Sequence, residues 1–222
     1  MSSVIKYNLS FMALYWVMSV YICIVGGYSL CSYRLMWECW KGTKSLVLQL
    51  PMSNIAVMAL APHWAETQSF AGCVAYVACF DFIVYWIHTA LHAIPYLYKN
   101  VHQEHHRAHY VCPFSATTLS ISEHVVIGII PTILPLYLIP MSQIGWALTN
   151  AIFFVHGLFI HSNVRSPLEW CGFIGTREHA THHVRPKTHF GFLIAWFRSD
   201  SFPASSNKLN EDIINYYNIS NN

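Results

Sequence analysis

Charge is scarce in this sequence. Asp, Glu, Lys and Arg make up 10% of its 222 residues, against about 25% in average soluble proteins. The formal net charge is only +2 with histidine neutral, too small to imply a nucleic-acid partner. With 55% hydrophobic residues and a mean hydropathy of +0.37, the deficit points to a membrane protein of one domain, its core formed partly against lipid. The seven cysteines are odd in number and include no C-x-x-C, which argues against a disulfide framework. Cys23, Cys73 and Cys79 lie in apolar runs and read as small hydrophobes. No E-x-x-H occurs, the motif of the soluble carboxylate-bridged di-iron bundles. No H-E-x-x-H occurs either, so zinc-protease chemistry lacks its motif. There is no long-period repeat and no soluble second domain.

Histidine, by contrast, is abundant, with 14 residues. The stretch from Asp81 to His109 begins as an apolar run and ends as a cluster of imidazoles. At about 100° per residue, a helix over 81–92 places Asp81, Tyr85, His88 and His92 on one face. His88 and His92, spaced i and i+4, can reach one metal ion. Ten residues on, His102, His105 and His106 form H-x-x-H-H, and His179, His182 and His183 repeat that pattern. A lone helical histidine pair is most often structural, but eight clustered imidazoles in so short a chain cannot all be satisfied core residues. Neutral imidazole suits Zn, Cu, Fe and Ni.

Five apolar runs frame these clusters, over residues 9–31, 46–64, 70–92, 124–140 and 144–159. The first is long enough to span a bilayer and reads as a signal anchor rather than a cleaved leader. The second is broken by Gln49 and Pro51 and either spans or dips and returns. The third carries Asp81, a carboxylate at bilayer depth, and such a group is paired or functional by default. The fourth contains Pro131, Pro135 and Pro140, which kink it. With five crossings, 11 of the 12 Lys and Arg fall on one side, and Lys6 alone on the other. The positive-inside rule makes the rich side cytoplasmic, and all three histidine clusters then share that face. The expected architecture is all-α, an integral membrane bundle of four to five transmembrane helices with a cytoplasmic histidine-rich catalytic cap. Its expected divisions are an anchor and basic loop (1–45), a catalytic domain (46–204) and a polar, loosely held tail (205–222).

His161 ends the fifth run and is the ninth candidate ligand. His156, five residues earlier and about 140° round the helix, joins it only if the helix end unwinds. Nine or ten imidazoles exceed the four to six ligands of one ion, so the count argues for two ions. An all-nitrogen site for two irons can activate O2 and take hydrogen from an alkyl C–H bond, with the membrane supplying a lipid substrate. Asp81 is expected to orient one ligand histidine from behind. Tyr85 and Trp86 read as packing residues, and His63, His124 and His189 have no role from spacing. The competing class is a His-rich membrane metal transporter or another non-oxygenase metal protein. A transporter would set ionisable ligands along a path near the midplane. A haem bundle would leave most of these imidazoles unused.

The motifs resemble those of the sterol desaturase / fatty acid hydroxylase superfamily of membrane di-iron oxygenases. The run D-x-x-x-Y-W-x-H-x-x-x-H stands as Asp81, Tyr85, Trp86, His88 and His92, and L-Y-K-x-x-H-x-x-H-H as Leu97, Tyr98, Lys99, His102, His105 and His106. Pro113-Phe114-Ser115, His161-Ser162-Asn163 and His179-x-x-His182-His183 follow, with His189-Phe190-Gly191 near the end. The likeness covers residues 40–200. The chain departs from the pattern at Thr89, at Ser120-Ile121 and over residues 196–200. The segment 177–192 is similar to sterol C-5 desaturase-like members, which favours a sterol or related lipid. The resemblance implies metal ligation by His88, His92, His102, His105, His106, His161, His179, His182 and His183. It also implies an endoplasmic-reticulum enzyme fed electrons by a carrier such as cytochrome b5 and its reductase.

Overall fold

A computed structural model of the chain describes residues 2–61, 64–67, 69–107, 110–186 and 191–194, with side chains from Asn8 onward. His63, His109, His189, the segment 196–200 and the tail from 205 lie outside the described residues. Every described element is helical. The long helices are α1 (Ser2–Val25), α2 (Tyr33–Leu60) and α3 (Phe70–Ala93), followed by an irregular helical stretch α4 over residues 95–106. Then come α5 (Ile121–Tyr137), α6 (Gln143–Ile160) and a short α7 (Thr176–Val184).

Among the described residues, three segments are long and apolar enough to cross a membrane: Asn8–Val25, Phe70–Ala93 and Gln143–Ile160. The fourth apolar run, α5, is shorter. After a first α-helical turn it is π-helical over His124–Ile129, and it ends in a 3-10 turn around Pro135, as expected of a proline-rich span. The basic segment 32–45 is not a loop. It is the first half of α2, where Glu38 and Lys41 pair at 2.9 Å one turn apart. Nor does the second run dip and return, because α2 continues through Pro51 to Leu60. At 1.5 Å per residue its 28 residues extend about 42 Å, so its polar first half reaches past an apolar slab about 30 Å thick.

Contacts along α2 show how the helices are stacked. Near its start, Thr117 Oγ1 donates to the Gly42 carbonyl at 3.1 Å. A Cβ at Gly42 would sit 2.1 Å from the Phe114 carbonyl, so only glycine lets the turn Pro113–Thr117 pack this close. Midway, Ser53 meets His124 at the head of α5. At the far end the Tyr137 hydroxyl donates to the Leu60 carbonyl. Helices α2 and α5 thus run side by side away from the histidine end, while α3 and α6 run back toward it. One buried cluster packs α1, the start of α2 and the end of α6 around Tyr15, Leu46 and Leu158. A second packs α3, α5 and the start of α6 around Tyr76, Phe80 and Trp146.

Candidate metal centre

The nine histidines of the three boxes and the α6 terminus meet at one end of the bundle. They divide into two groups, His88, His92, His102, His106 and His182, and His105, His161, His179 and His183. Within each group the candidate ligand atoms all lie within 4.8 Å of one another. The partition follows from helix geometry. In each H-x-x-H-H box the first and last imidazoles, spaced i and i+4, stay on one face, while the middle one is turned aside. His102 and His106 therefore join His88 and His92, and His179 and His183 join His161. The middle residues cross over. His105 joins the α7 pair, with its ring 4.9 Å from that of His183. His182 joins the α4 pair, 5.0 Å from His106 and 4.6 Å from His88.

Local structure aims these rings. In α4 the turn Tyr98–His102 is π-helical, with the Gln103 amide bonded to the Tyr98 carbonyl. Wide turns of this kind recur at functional sites. Ser120 caps α5 by accepting from the Glu123 amide, and its hydroxyl donates to the Val101 carbonyl at 2.8 Å. The position where the sequence departs from the family pattern therefore ties α5 to that turn. Asn163 donates to the Gly26 carbonyl and fixes the end of α6 against the end of α1.

The donor chemistry suits metal ions. In the first group the Nε2 atoms of His88, His92, His102 and His106 lie 2.9–3.2 Å apart in four pairs. In the second, those of His105, His161, His179 and His183 lie 3.0–3.3 Å apart in three. Nitrogens about 2.1 Å from a shared ion and at right angles would be about 3.0 Å apart. His161 fixes one tautomer. Its Nδ1 lies 2.8 Å from the Gly157 carbonyl, which only accepts, so the proton is on Nδ1 and Nε2 presents a bare lone pair to His105 and His179. Burial holds the imidazoles neutral. It pushes His105, His179, His182 and His183 well below the ordinary histidine value, and repulsion from neighbouring imidazoles adds to the effect. His106 is lowered to about 2, first by burial and then by His102 and His92. His161 is lowered to about 4, also by burial, against the opposing pull of its bond to Gly157. Clustered, buried, neutral imidazoles are what a metal requires.

Two carboxylates stand near the centre, and they have different partners. Glu123, which sequence reasoning passed over, is fully buried. Its Oε1 lies 2.6 Å from His102 Nδ1, the arrangement that fixes the tautomer of a metal-ligating histidine. A buried carboxylate needs a partner, and the pairing of Glu123 with an apolar run was the signal available in the sequence. Asp81, the expected orienting residue, is also fully buried. Its carboxylate accepts from the backbone amides of Phe192 at 3.2 Å, Leu193 at 2.7 Å and Ile194 at 2.9 Å. These bonds hold segment 191–194 against α3.

His156 is apart from both groups. Its Nδ1 meets the Ser166 hydroxyl at 2.7 Å, and its ring packs by Phe173 and Phe192. The end of α6 does not unwind enough to bring it round, since the His161 amide still bonds to the Gly157 carbonyl.

Beneath the histidines a cavity of about 280 Å³ runs between α2, α3, α5 and α6. His88, His102, His105, His161 and His179 line one end, Trp146 and Thr132 the other, with Leu50, Val84 and Phe153 among the apolar walls.

The fatty acid hydroxylase family model matches residues 73–201, more than half of the chain and all ten candidate histidines. A putative Delta(7)-sterol-C5(6)-desaturase 2 of Arabidopsis thaliana is 28% identical over 141 residues, covering 56% of this chain and 46% of that protein. A Delta(7)-sterol 5(6)-desaturase of Aspergillus fumigatus is 23% identical over 248 residues, covering 96% of this chain and 66% of its own length. A Delta(7)-sterol-C5(6)-desaturase of Nicotiana tabacum is 27% identical over 129 residues, covering 54% and 45%. The chain thus spans about half the length of the two plant relatives and two thirds of the fungal one. No solved structure matches. The histidine boxes and the matching family model together place this chain in the fatty acid hydroxylase family, within the sterol desaturase / fatty acid hydroxylase superfamily.

Proposed function

We propose that the chain is a membrane-bound oxidoreductase that hydroxylates or desaturates a lipid C–H bond, the lipid being a sterol or a related molecule. The observation that carries this reading is the placement of two imidazole groups beside an apolar cavity that five of their members line. The two groups would hold two iron ions, which when bound supply O2 activation and hydrogen abstraction from an unactivated carbon. The protein does the rest. The walls from α2, α3, α5 and α6 bind the hydrocarbon and exclude water. The Glu123 carboxylate and the Gly157 carbonyl hold His102 and His161 with Nε2 toward the ions. Asp81 anchors the wall segment 191–194.

Electrons would come from a carrier such as cytochrome b5 and its reductase, meeting the histidine end from the cytoplasm, with the chain in the endoplasmic-reticulum membrane of a eukaryotic cell. The catalytic unit would span 46–204, with residues 1–45 as its anchor. The test is to reconstitute the detergent-purified chain with ferrous iron, a reduced carrier and O2, then to analyse a Delta(7)-sterol for a new hydroxyl or double bond. Product that disappears in His105→Ala and His182→Ala supports the reading. A folded, iron-loaded protein that oxidises no sterol or fatty acyl lipid contradicts it.

A further inference from the structure

His161 at the end of α6 and His179 on α7 are 18 positions apart in the chain, yet their Nε2 atoms lie 3.0 Å from each other. Both belong to the second group. Helix α7 has only nine residues, too few to hold a helix in place unaided. The connection between the two helices therefore has to fix α7 on α6.

Glu169 is the centre of that connection. It lies in the 3-10 turn Pro167–Cys171. Its Oε1 accepts from two backbone amides, Ser166 at 3.0 Å and Thr176, the first residue of α7, at 2.9 Å. One carboxylate oxygen thus clips the head of the loop to the head of α7. Residue 175 has to be glycine for this approach, because a Cβ there would sit 2.7 Å from the Glu169 carboxyl carbon. The Thr176 hydroxyl adds a bond to the Val164 carbonyl at 2.9 Å, three residues after His161. The other end of the clip is tied to α6. The Ser166 hydroxyl meets His156 Nδ1 at 2.7 Å, little more than one helical turn before His161. Ser166 and His156 are each only 1% exposed, so bulk water does not compete for that contact. Arg165 lies 3.8 Å from the second Glu169 oxygen, but its side chain is exposed and the pair counts for little.

We propose that Glu169 is a positioning residue for the metal centre, which sets α7 against α6 through Thr176 and is itself anchored to α6 through Ser166 and His156. The third histidine box is aimed from this loop, and His156 serves the centre without being a ligand. Because α7 supplies two imidazoles to the second group and one to the first, the second group depends on the clip more. This inference rests on the metal-binding reading given above.

The test is Co(II) binding to the full, metal-free chain in detergent, followed by visible absorption and competed with a chelator. The wild type should take up two ions per chain, and His161→Ala identifies the absorption of the second-group ion as the part it lacks. Glu169→Ala should weaken that ion about tenfold, the lower end of what losing support behind metal ligands costs, and the other ion less. Glu169→Gln keeps an oxygen able to accept from both amides and gives up only the exposed pair with Arg165, so both affinities should stay within about twofold of wild type. Ser166→Ala should weaken the second-group ion in the same direction as Glu169→Ala. Wild-type affinities in folded Glu169→Ala or, if that variant does not fold, in Ser166→Ala, overturn the assignment and leave the metal-binding reading standing, even where the unfolding midpoint is lowered. A Glu169→Gln variant as weak as Glu169→Ala also overturns it. A wild type that takes up no cobalt overturns both.

Discussion

The two histidine groups are built alike but supported differently. The first has five imidazoles drawn from α3, α4 and α7, and a buried carboxylate stands behind one of them. The second has four, from α4, the end of α6 and α7, and a backbone carbonyl does the corresponding work. Group one has a fifth ligand and a carboxyl side chain bonded to His102. Group two has four, and its His161 is held by main chain. The crossing of His105 and His182 ties the two together, because each H-x-x-H-H box contributes to both.

The largest expected effect tests the fifth ligand. His161→Ala leaves group two with three imidazoles and should reduce the metal content by one ion per chain. His92→Ala leaves group one with four and should retain most of its occupancy. Metal analysis of the two variants side by side checks this, and equal losses would break the comparison. Next is the carboxylate. Glu123→Gln keeps the shape but replaces the carboxyl bonded to His102 Nδ1 with an amide, and should weaken metal binding at one of the two sites about 10- to 100-fold. A competitive chelator titration would show one site weakened and the other unchanged.

Asp81→Asn probes the other buried carboxylate. Losing a charged acceptor for three backbone amides should cost about 2 kcal/mol of stability, seen as a lower midpoint in thermal unfolding. A metal count on the same variant separates anchoring of segment 191–194 from orientation of a ligand. The smallest effect is acid sensitivity of the metal-free protein. The imidazoles of His105, His106, His161, His179, His182 and His183 are held by burial below the ordinary value of about 6.5. Their contribution to stability is therefore complete above that pH. It is lost as pH falls below about 6.5 toward the folded-state values, by up to about 1.4 kcal/mol per pH unit for each imidazole. Unfolding midpoints measured from pH 7.5 to 5 should fall accordingly, and bound metal should flatten that fall.

Much of this was legible in the sequence because the signals are local. Spacing along a helix is enough to pair His88 with His92, and His179 with His183. Apolar runs are enough to mark α1, α3 and α6. What was not legible depends on which surfaces meet. Spacing shows that the middle imidazole of each box leaves the face of its neighbours, but not that it crosses to the other group. The two carboxylates make the same point. Asp81 lies on the face of His88 and His92 in a helix diagram, yet its described bonds hold backbone from residues more than 100 positions later. Glu123 reaches His102 only because Ser120 pins α5 to the turn before it. The helical form of residues 33–45 was hidden for another reason. Charge suggested a loop, but the buried pairing of Glu38 with Lys41 lets α2 carry those charges beyond the apolar layer.

The most direct test of the account is the number and identity of metal ions per chain in protein purified anaerobically in detergent. The account expects two irons per folded chain. One ion or none in a chain that is demonstrably folded would contradict it, since the two imidazole groups would then not be the paired centre on which the proposed chemistry depends.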